Sequence, residues 1–441
     1  MTPNCNNNKL YIHSMKSETQ TTWYQATRAL NSHHPVLTGS VTTDVAVIGA
    51  GYTGLSTALH LAKRGYQVTV IEAQTVGSGA SGLNGGQLCS GQRRDMIELE
   101  KIVSRDDALR LWSLSEEAKI LVAQLIDEYS ISSAIRWGII TAAWRKKHYS
   151  YLCRYSDFLK SRYSYDKISV IKPSNIKDHL ATNSYHGGHI DYGAGHLHPL
   201  NYLLGLSRAA TAQGVQLFEY SKAIDISAIQ NSKLLISTSN GQIYAANAVI
   251  ACNGYLGKLA PRLARYIMPI NNYILATEPM TPGVSNELVA NNVAVADTKF
   301  VVNYFRISDD NRLLFGGGET YTNRFPHDIK SFVRSHMLKV FPQMNSIGID
   351  YAWGGKLAIT MNRMPIFGRL NSNVYYALGY SGQGVAIATL AGRVLADAIA
   401  GDQEKLDVFA RVPRYKFPGG TLLRWPCLAL AMSYYSLRDY F

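Results

Sequence analysis

Three glycines followed by a carboxylate form the pattern in this chain with the clearest chemical use. Gly49 permits a tight turn, Gly51 lets another group approach the backbone, and Gly54 lets a helix pack closely on a strand. The carboxylate is Glu72, whose oxygens can accept hydrogen bonds from sugar hydroxyls and would repel a 2′-phosphate. An ordinary strand, turn and helix can show the same glycine spacing, so its meaning depends on the surrounding elements.

The elements around these glycines are a strand, a helix and a second strand. Residues 44–48 form a β-branched run that predicts a buried parallel strand, and residues 67–71 predict a strand that ends at Glu72. Between them, an apolar-periodic helix begins at Tyr52, and its first N–H groups and dipole favour phosphate. This order and spacing predict a dinucleotide site at which NADP is disfavoured.

A second glycine-rich stretch, residues 77–87 with the sequence GSGASGLNGGQ, follows this unit directly. Its composition predicts neither a helix nor a strand. One interpretation is a flexible surface loop, and the other is backbone pressed against a flat ligand, where side chains would collide. Because the loop follows the phosphate-binding unit, we expect it to continue from a pyrophosphate towards an isoalloxazine ring.

A strand, glycine turn and helix occur again near the C-terminus, at residues 374–378, 379–384 and 385–400. The N-terminus of that helix would stabilise negative charge on a reduced flavin. The buried strand 248–252 likewise ends at Asn253 and Gly254, at the edge where parallel sheets bind ligands. The two glycine units together indicate a two-ended ligand, with phosphates at one end and a flavin at the other.

Strands between residues 268 and 318 alternate apolar and polar side chains, which predicts a second sheet of mainly antiparallel strands. Tyr304 and Arg306 share a face of one strand, because alternate residues of a strand point the same way. They are either a half-exposed surface pair or part of a substrate-binding face. Residues 104–129 and 146–162 predict helices that cap the substrate side.

These patterns predict an α/β protein with a Rossmann-type domain on a parallel sheet, and a substrate domain of α+β type with a mixed or antiparallel sheet and helices. We expect the two domains to alternate along the chain. The predicted division is an N-terminal extension (1–43), an FAD-binding domain (44–90, 187–268 and 350–407), a substrate or cap domain (91–186 and 269–349) and a C-terminal tail (408–441).

Composition argues against several other classes of protein. The net charge is +13, but the densest basic cluster is only residues 145–148, so we expect a diffusely basic surface and no nucleic-acid partner. Five separated cysteines without a CxxC pair favour reduced thiols in the cytoplasm, and the histidines of residues 189–198 lack ligand spacing, so no metal is expected. The N-terminal residues lack the apolar core of a secretory signal, and no apolar stretch predicts a transmembrane segment.

These motifs resemble those of the FAD-dependent D-amino-acid-oxidase-like superfamily, which includes sarcosine, glycine and D-amino-acid oxidases. The resemblance extends from about Trp23 to the C-terminus and is carried by VAVIGAGYTGLSTALHLAKRGYQVTVIEA, GSGASGLNGGQ, GGHIDYGAGHLHPLNY, VIACNGYLG, YAWGGKLAITMNRMPIFGRL and YSGQGVAIATLAGRVLADAI. Two further segments, TKFVVNYFRISDDNRLLFGGG and PRYKFPGGTLLRWPCLALAMSYYSLRDYF, are most similar to gamma-glutamylputrescine oxidases.

The resemblance implies FAD and assigns residues to its parts. Gly49, Gly51 and Gly54 would lie on the pyrophosphate, and Glu72 on the adenosine ribose. The residues expected along the ribityl chain and flavin are Ala80, Ser81, Asn84, Gly85, Gly86 and Gln87. Those expected at the pyrimidine end of the ring are Gly382, Gln383 and Gly384. Further cofactor contacts are expected at Ala50, Tyr52, Thr53, Ala73, Ser78, Gly79, Ala223, Ile224, Cys252, Asn253, Gly254, Gly355, Pro365, Gly379, Ser381 and Val385.

The chain departs from the family pattern at several positions. Leu83 replaces an arginine often found in the second glycine loop, and Gln383 replaces the histidine of a frequent SGHG. The KLAIT segment has no cysteine where sarcosine oxidases attach flavin covalently, so noncovalent FAD is implied. Leu314 stands where a lysine activates oxygen in those enzymes, which leaves both O2 and another electron acceptor open.

The activity that the resemblance implies is oxidation of an amine C–N bond by hydride transfer to flavin. The imine would hydrolyse to an aldehyde and ammonia, O2 would be reduced to H2O2, and the expected substrate is gamma-glutamylputrescine. Candidate substrate-side residues are Tyr304, Arg306 and Trp353, although Trp353 is equally a residue type of the core. The alternatives are an oxidase or dehydrogenase of glycine, sarcosine or a D-amino acid, and a flavoprotein without turnover, such as a tRNA-modification accessory protein. The oligomeric state is left open.

Overall fold

The computed structural model describes residues 21–230, 233–320 and 324–421, together with residues 424 and 426. The expectations for residues 1–20 and for the end of the predicted tail, residues 427–441, lie outside the described residues. The described chain folds into two sheets with helices packed on both. Its architecture is therefore the predicted combination of α/β and α+β parts.

The strands of the two sheets are numbered in chain order. They are β1 (Gly39–Ile48), β2 (Val68–Ile71), β3 (Gln87–Leu88), β4 (Arg136–Ala142), β5 (Ile168–Ile171), β6 (Gly188–His196), β7 (Gln216–Phe218), β8 (Asp225–Ala228), β9 (Leu234–Ser237), β10 (Gly241–Ile250), β11 (Met268–Thr277), β12 (Ala294–Asp297), β13 (Tyr304–Ile307), β14 (Leu313–Thr320), β15 (Ile349–Ile359), β16 (Ile366–Arg369) and β17 (Val374–Leu378).

The helices vary from single turns to long amphipathic elements. They are α1 (Trp23–Ala26), α2 (Tyr52–Ala62), α3 (Ala80–Leu83), α4 (Met96–Leu99), α5 (Arg105–Glu128), α6 (Lys146–Tyr163), α7 (Pro199–Ala212), α8 (Pro261–Ala264), α9 (Pro282–Leu288), α10 (Ile329–Val340), α11 (Val385–Ile399) and α12 (Glu404–Ala410). The predicted helices at residues 104–129, 146–162 and 385–400 are confirmed as α5, α6 and α11.

The first sheet has the strand order β16-β17-β10-β1-β2-β7, with β9 paired to β10 and β8 to β9. Five strands of this sheet are parallel to one another: β1, β2, β7, β10 and β17. Val45 and Val47 of β1 pack into the core that contains α2, α7 and α11, whereas Ala46 and Ile48 pack into a second core on the other face. Burial on both faces is what a central parallel strand requires, and the Rossmann-type prediction is confirmed.

The second sheet has the strand order β15-β11-β14-β13-β12-β4-β6-β3, with β5 paired to β6. β12 and β4 are parallel, so the sheet is mixed. One face packs against α10 through residues such as Ile140, Val295 and Phe305. α6 lies close to β5 and β6, where the opposite face holds the side chains described below.

Three segments predicted for the FAD-binding domain pair within the second sheet instead, and the shortest is β3 from the range 44–90, which pairs with β6. β6, from the range 187–268, pairs with β4 and β5, and β15, from the range 350–407, pairs with β11. All three adjoin nucleotide-binding motifs in sequence, and sequence adjacency does not reveal which distant strand is the partner. Within the second glycine loop, one turn of helix, α3, replaces the expected irregular chain. The division into domains itself stays a prediction.

The four-residue helix α1 contacts parts of both halves of the molecule. Trp23 donates a hydrogen bond from Nε1 to Asp310 in the turn between β13 and β14, at 3.1 Å. The buried ring of Tyr24 packs edge-on against His198, which caps α7, and against Trp353 of β15. The aromatic stretch that starts near Trp23 therefore packs on the body of the protein.

Over the part of the chain that the structure describes, no helix is both long enough and apolar enough to cross a membrane. Within the same residues, His, Cys, Asp and Glu side chains form no group of three or more that could hold a metal ion.

Candidate active site

The turn between β1 and α2 is shaped by its glycines. Gly49 has φ +108°, a conformation that side chains disfavour, and a Cβ added at Gly54 would lie 1.8 Å from the Gly49 carbonyl oxygen. Gly51 is the N-cap of α2 and offers no side-chain acceptor to the first turn of the helix. The turn therefore presents close-packed backbone and the positive end of a helix dipole, which suits a pyrophosphate.

Glu72 lies beside this turn at the end of β2. Its Oε2 accepts a hydrogen bond from the Ala50 N–H at 3.0 Å, and its Oε1 accepts one from Gln74 at 3.1 Å. Burial raises the pKa of the Glu72 carboxyl, while these backbone N–H groups favour its ionised form. The carboxylate is thus held at the end of the strand by the backbone, in the position expected for contact with a ribose.

The second glycine loop is held by its own polar side chains. Ser81 Oγ accepts a hydrogen bond from Tyr52 N–H at 3.1 Å, which ties α3 to the first turn of α2. Asn84 Oδ1 accepts from the Gly86 N–H at 2.8 Å, and a Cβ at Gly86 would lie 2.1 Å from the Leu197 carbonyl oxygen. These contacts favour an ordered ligand-facing loop over a flexible surface loop.

The third glycine segment contacts residues that follow β3. Gln383 Nε2 donates to the carbonyl oxygens of Ser90 and Gly91, at 3.3 and 3.0 Å. Arg93 donates from Nε to the Ser381 carbonyl at 2.9 Å. The turn before α11 is therefore attached to the segment that leads from β3 towards α4 and α5.

A continuous cavity of about 1420 Å³ connects the three glycine segments. It is lined by the predicted cofactor residues except for a few that lie elsewhere in the described chain. These exceptions are Gly54, Gly86, Gly254, Pro365 and Gly379. Gly54 and Gly86 lie behind the cavity wall and support it, because each lets two backbone segments pack where a Cβ atom would collide.

The three predicted substrate-side residues separate in the structure. Tyr304 lines the cavity, and its ring fills the space beside Gly85 and Gly316. Arg306, 5% exposed, instead lies behind the second glycine loop, where its Nε donates to the Gly85 carbonyl at 3.0 Å. Trp353 is buried in the core and donates from Nε1 to the Leu83 carbonyl at 3.1 Å. Neither Arg306 nor Trp353 is on the cavity wall, although both support the loop.

The residues present fit a flavin dinucleotide. The cavity starts at the N-terminus of α2, where the N-cap Gly51 has no side chain, continues along backbone whose glycines leave no room for Cβ atoms, and reaches the second helix N-terminus at Gly384. Helix termini and bare backbone bind phosphates and flat rings without charged side chains. FAD would be held chiefly by the backbone of these segments, with Glu72 beside its ribose.

The cavity continues into a chamber between the second sheet and helices α5 and α6. Thr141 of β4 is paired with His189 of β6, and Ile139 is paired with Asp191, so these side chains share the face of the sheet that lines the cavity. Trp112 of α5 and the stacked rings of Tyr151 and Tyr155 of α6 also line it. We call this part of the cavity the chamber.

Sequence reasoning missed the chamber, although two signals for it were present. His189 and Asp191 are two residues apart on β6, the spacing of neighbours on one face of a strand. Tyr151 and Tyr155 are four apart on α6, the spacing of neighbours on one face of a helix. The histidines of this stretch were considered only as metal ligands, and the pairing that brings β6 against β4 is not visible in the sequence.

Burial controls the charge of His189 in the chamber and of Asp297, whose side chain lies on the other face of the second sheet. It raises the pKa of the Asp297 carboxyl to about 6, against the effect of N–H groups from Lys299 and Asn303 that stabilise the carboxylate. It lowers the pKa of His189 to about 4, so this imidazole is neutral at neutral pH. His189 therefore adds no positive charge to the chamber at neutral pH.

Comparison with known proteins agrees with this geometry. Residues 44–398 match the family described as FAD dependent oxidoreductase, and residues 5–78 match the family described as pyridine nucleotide-disulphide oxidoreductase. Gamma-glutamylputrescine oxidoreductase of Escherichia coli (strain K12) is 38% identical over 424 residues, which cover 96% of this chain and 99% of that protein.

Two further similarities extend over most of the chain. A protein named probable oxidoreductase OrdL of Rhizobium meliloti (strain 1021) is 38% identical over 95% of this chain and 97% of its own. The crystal structure of glycine oxidase from Geobacillus kaustophilus is similar with a TM-score of 0.73 at 20% identity, covers 85% of this chain and 99% of its own, and so shows the fold. The chain belongs to the FAD dependent oxidoreductase family, and its cofactor is FAD.

Proposed function

We propose that this enzyme oxidises the C–N bond of a primary amine, with gamma-glutamylputrescine as its substrate. The observation that supports the proposal best is the chamber, which continues the FAD-binding cavity and combines aromatic walls with the carboxylate of Asp191. Such a surface suits a cationic alkyl amine. The particular amine is suggested by the name of the Escherichia coli relative.

FAD supplies the oxidation when it is bound, because it accepts a hydride from the carbon next to the amine nitrogen. The residues of the chain align the amine and exclude water. Trp112, Tyr151 and Tyr155 would enclose the alkyl part, while the carboxylate of Asp191 would face the ammonium end. Hydrolysis of the imine would give an aldehyde and ammonia, and O2 as electron acceptor would give H2O2.

We further propose that FAD is held without a covalent bond by the residues predicted from sequence. Gly49 and Gly51 would contact the pyrophosphate, Glu72 the ribose, and residues 381–384 the pyrimidine end of the flavin. Tyr304 would be a substrate-side residue, because it lines the cavity. Arg306 and Trp353 are assigned to support of the second glycine loop, since their hydrogen bonds end on its carbonyl oxygens.

One observation favours a second candidate function, the oxidation of a small amino acid such as glycine or sarcosine. That reaction needs a cation near the flavin to hold the α-carboxylate. Arg93 lines the cavity and is attached through Nε to Ser381, in the turn expected beside the flavin. With gamma-glutamylputrescine, the same guanidinium would lie on the cavity wall that the glutamyl group faces.

The experiment that separates these functions is anaerobic titration of the purified holoprotein, followed by the visible flavin band. Gamma-glutamylputrescine, putrescine, glycine, sarcosine and a mixture of D-amino acids are added separately. We expect rapid bleaching by gamma-glutamylputrescine, and air then distinguishes an oxidase from a dehydrogenase. Bleaching by a small amino acid alone would support the second candidate, whereas a yellow protein that none of these compounds reduces would refute both.

A further inference from the structure

A chain of hydrogen bonds connects helix α5 with the chamber. Lys119 Nζ donates to Ser90 Oγ at 2.5 Å, the hydroxyls of Ser90 and Tyr165 lie 2.9 Å apart, and Tyr165 donates to Asp191 Oδ1. An ammonium only donates and a carboxylate only accepts, so each group in this chain donates to the next, and Asp191 is the final acceptor. We call Lys119, Ser90, Tyr165 and Asp191 the Asp191 chain.

Asp191 ends this chain with one oxygen still open to the cavity. It is only 9% exposed and lines the cavity. The two hydrogen bonds that it accepts from described residues, from Tyr165 and from the Gly193 N–H, both end on Oδ1. A buried carboxylate oxygen without a donor is costly, and Oδ2 therefore suits a cationic donor on a ligand.

The charges around Asp191 also favour a cationic ligand. Lys119 is 4% exposed and lies 2.8 Å from Glu116, whereas it reaches Asp191 only through Ser90 and Tyr165. Burial raises the pKa of Glu116, and the charge of Asp191 raises it further against the effect of Lys119. Among the described residues no lysine or arginine forms an ion pair with Asp191, and an ammonium ion at Oδ2 would supply that partner.

The Asp191 chain lies beside the turn expected at the flavin. The Ser90 carbonyl accepts from Gln383 Nε2 at 3.3 Å, while its hydroxyl belongs to the chain. Ser90 therefore connects Gln383, the residue before Gly384, directly to the hydrogen-bond donors that orient Asp191. This proximity distinguishes Asp191 from Asp297, whose carboxylate is engaged by backbone N–H groups of its own loop.

We propose that Asp191 is a catalytic residue that binds the ammonium group of the substrate and accepts one of its protons. The inference rests on the proposed amine oxidation and names the group that prepares the amine for it. An N–H bond of R–CH2–NH3+ breaks, its electron pair stays on nitrogen, and a new O–H bond forms on Asp191. The products are R–CH2–NH2 and a neutral carboxylic acid, so atoms and charge balance.

The chamber favours this transfer for a physical reason. In water an alkylammonium, with a pKa of about 10.4, does not lose its proton to a carboxylate. Burial penalises both charged partners, and transfer of the proton removes both charges together. Tyr165 and Lys119 keep the carboxylate aligned and are positioning residues. Burial raises the pKa of Tyr165, so this hydroxyl stays a donor.

The other titratable or charged groups near Asp191 come from several elements. They are Cys89, Arg93, Glu116, Lys119, Tyr165, Lys167 and His189. Burial raises the pKa of Cys89 to about 11 and lowers that of His189 to about 4, so both are neutral near pH 7. Neither of these two neighbours can therefore take the place of Asp191 as an anion.

The test compares Asp191→Asn with the wild-type holoprotein by the rate of anaerobic bleaching with gamma-glutamylputrescine between pH 6 and pH 10. We expect the variant to be slower by about 100-fold at pH 7.5, the usual effect of losing a general base. Its rate should recover as the pH approaches about 10.4, because free amine then forms in solution. Asp309→Asn, an exposed aspartate outside the cavity, is the control and should match wild type.

The shape of the pH profile separates catalysis from a structural role. A variant as fast as wild type at pH 7.5, or one that is slower by the same factor at every pH, would overturn the proposal. If Asp191→Asn does not fold, Tyr165→Phe serves in its place, because it removes a donor to Oδ1 and leaves the aromatic ring. We expect it to be slower by about tenfold with the same recovery at high pH, and an unchanged profile would refute the role of the chain.

Failure of the proposed function can be told apart from failure of this inference. The former shows in the wild-type protein, if glycine or sarcosine bleaches it instead, or if no compound does. The variant comparison is then made with the compound that does bleach it. If none does, calorimetric binding of butylammonium is compared, with a loss of at least tenfold in Asp191→Asn as the supporting result and equal affinity as the refuting one.

Discussion

The glycine turn at the N-terminus of α2 and the chamber above the second sheet form parts of one cavity by opposite means. The turn uses backbone: Gly49, Gly51 and Gly54 leave no room for side chains, and the positive end of a helix provides the attraction. The chamber uses side chains from α5, α6, β4 and β6, including a carboxylate oriented by a hydrogen-bond chain. A cofactor such as FAD can be bound by the backbone and a helix terminus. Selection of a particular amine instead requires charged side chains that the fold must bury.

The largest expected effect comes from breaking the backbone region with Gly54→Ala. The new Cβ would lie 1.8 Å from the Gly49 carbonyl oxygen, and neither helix nor strand can move without disturbing the turn. We expect a colourless protein, with a free energy of unfolding lower by about 4 kcal/mol or more. Gly283→Ala is the control, since a Cβ there meets no atom within 4 Å. Full flavin content in Gly54→Ala would contradict this account of the turn.

The next effect tests the buried charges of the chamber with Lys119→Met. This change leaves Glu116 without its cation and removes the first donor of the Asp191 chain, and denaturant titration should show a loss of about 4 kcal/mol. Lys101→Met is a matched control, because Lys101 pairs with Glu98 at the same i,i+3 spacing but is 65% exposed. We expect less than about 1 kcal/mol for the control. Equal losses in both variants would show that burial does not distinguish the two pairs.

A pH-dependent effect is expected from Asp297. Burial raises the pKa of this carboxyl to about 6, above its usual value of 3.8, so the folded protein binds a proton that the unfolded chain releases. The resulting stabilisation is complete below pH 3.8 and is lost as the pH rises to about 6. Relative to Asp297→Asn, wild type should therefore lose up to about 3 kcal/mol over this range and little beyond it. A difference between the two proteins that does not change with pH would argue against this shift.

The smallest effect is expected from Glu72→Gln, which keeps the size of the side chain and removes its charge. One amide oxygen remains for the Ala50 N–H, so the turn should survive. We expect FAD to bind about tenfold more weakly, equivalent to about 1.4 kcal/mol, as measured by titration of the apoprotein with FAD. A loss as large as that in Gly54→Ala would show that a side chain, and not the backbone, dominates cofactor binding.

The sequence predicted the glycine turn before α2 better than the chamber, because local constraints specify the turn. The need for Gly49, Gly51 and Gly54 arises within one strand and one helix, and a six-residue window contains the whole pattern. Asp191 acquires its role only because β6 pairs with β4 and β5 and because α5 brings Lys119 to the same place. Such partners are far apart in sequence, and no local pattern identifies them.

Arg306 shows the same limit in a single side chain. The period of the strand correctly puts it on the same face as Tyr304, and both residues contact the second glycine loop. A strand period does not say which side of a loop a long side chain will reach. Tyr304 fills the space beside Gly85 on the cavity wall, while Arg306 extends behind the loop to the ring of Tyr24.

The small helix α1 has a kinetic consequence. Its two aromatic residues join the turn after β13, the start of α7 and strand β15, so they add to the core that the two sheets share. Any hinge motion that separated the sheets would have to break these contacts in the same step, which makes wide opening a rare event. We therefore expect the cofactor to dissociate slowly, over a time set by the release of Trp23 and Tyr24 and not by its own affinity alone.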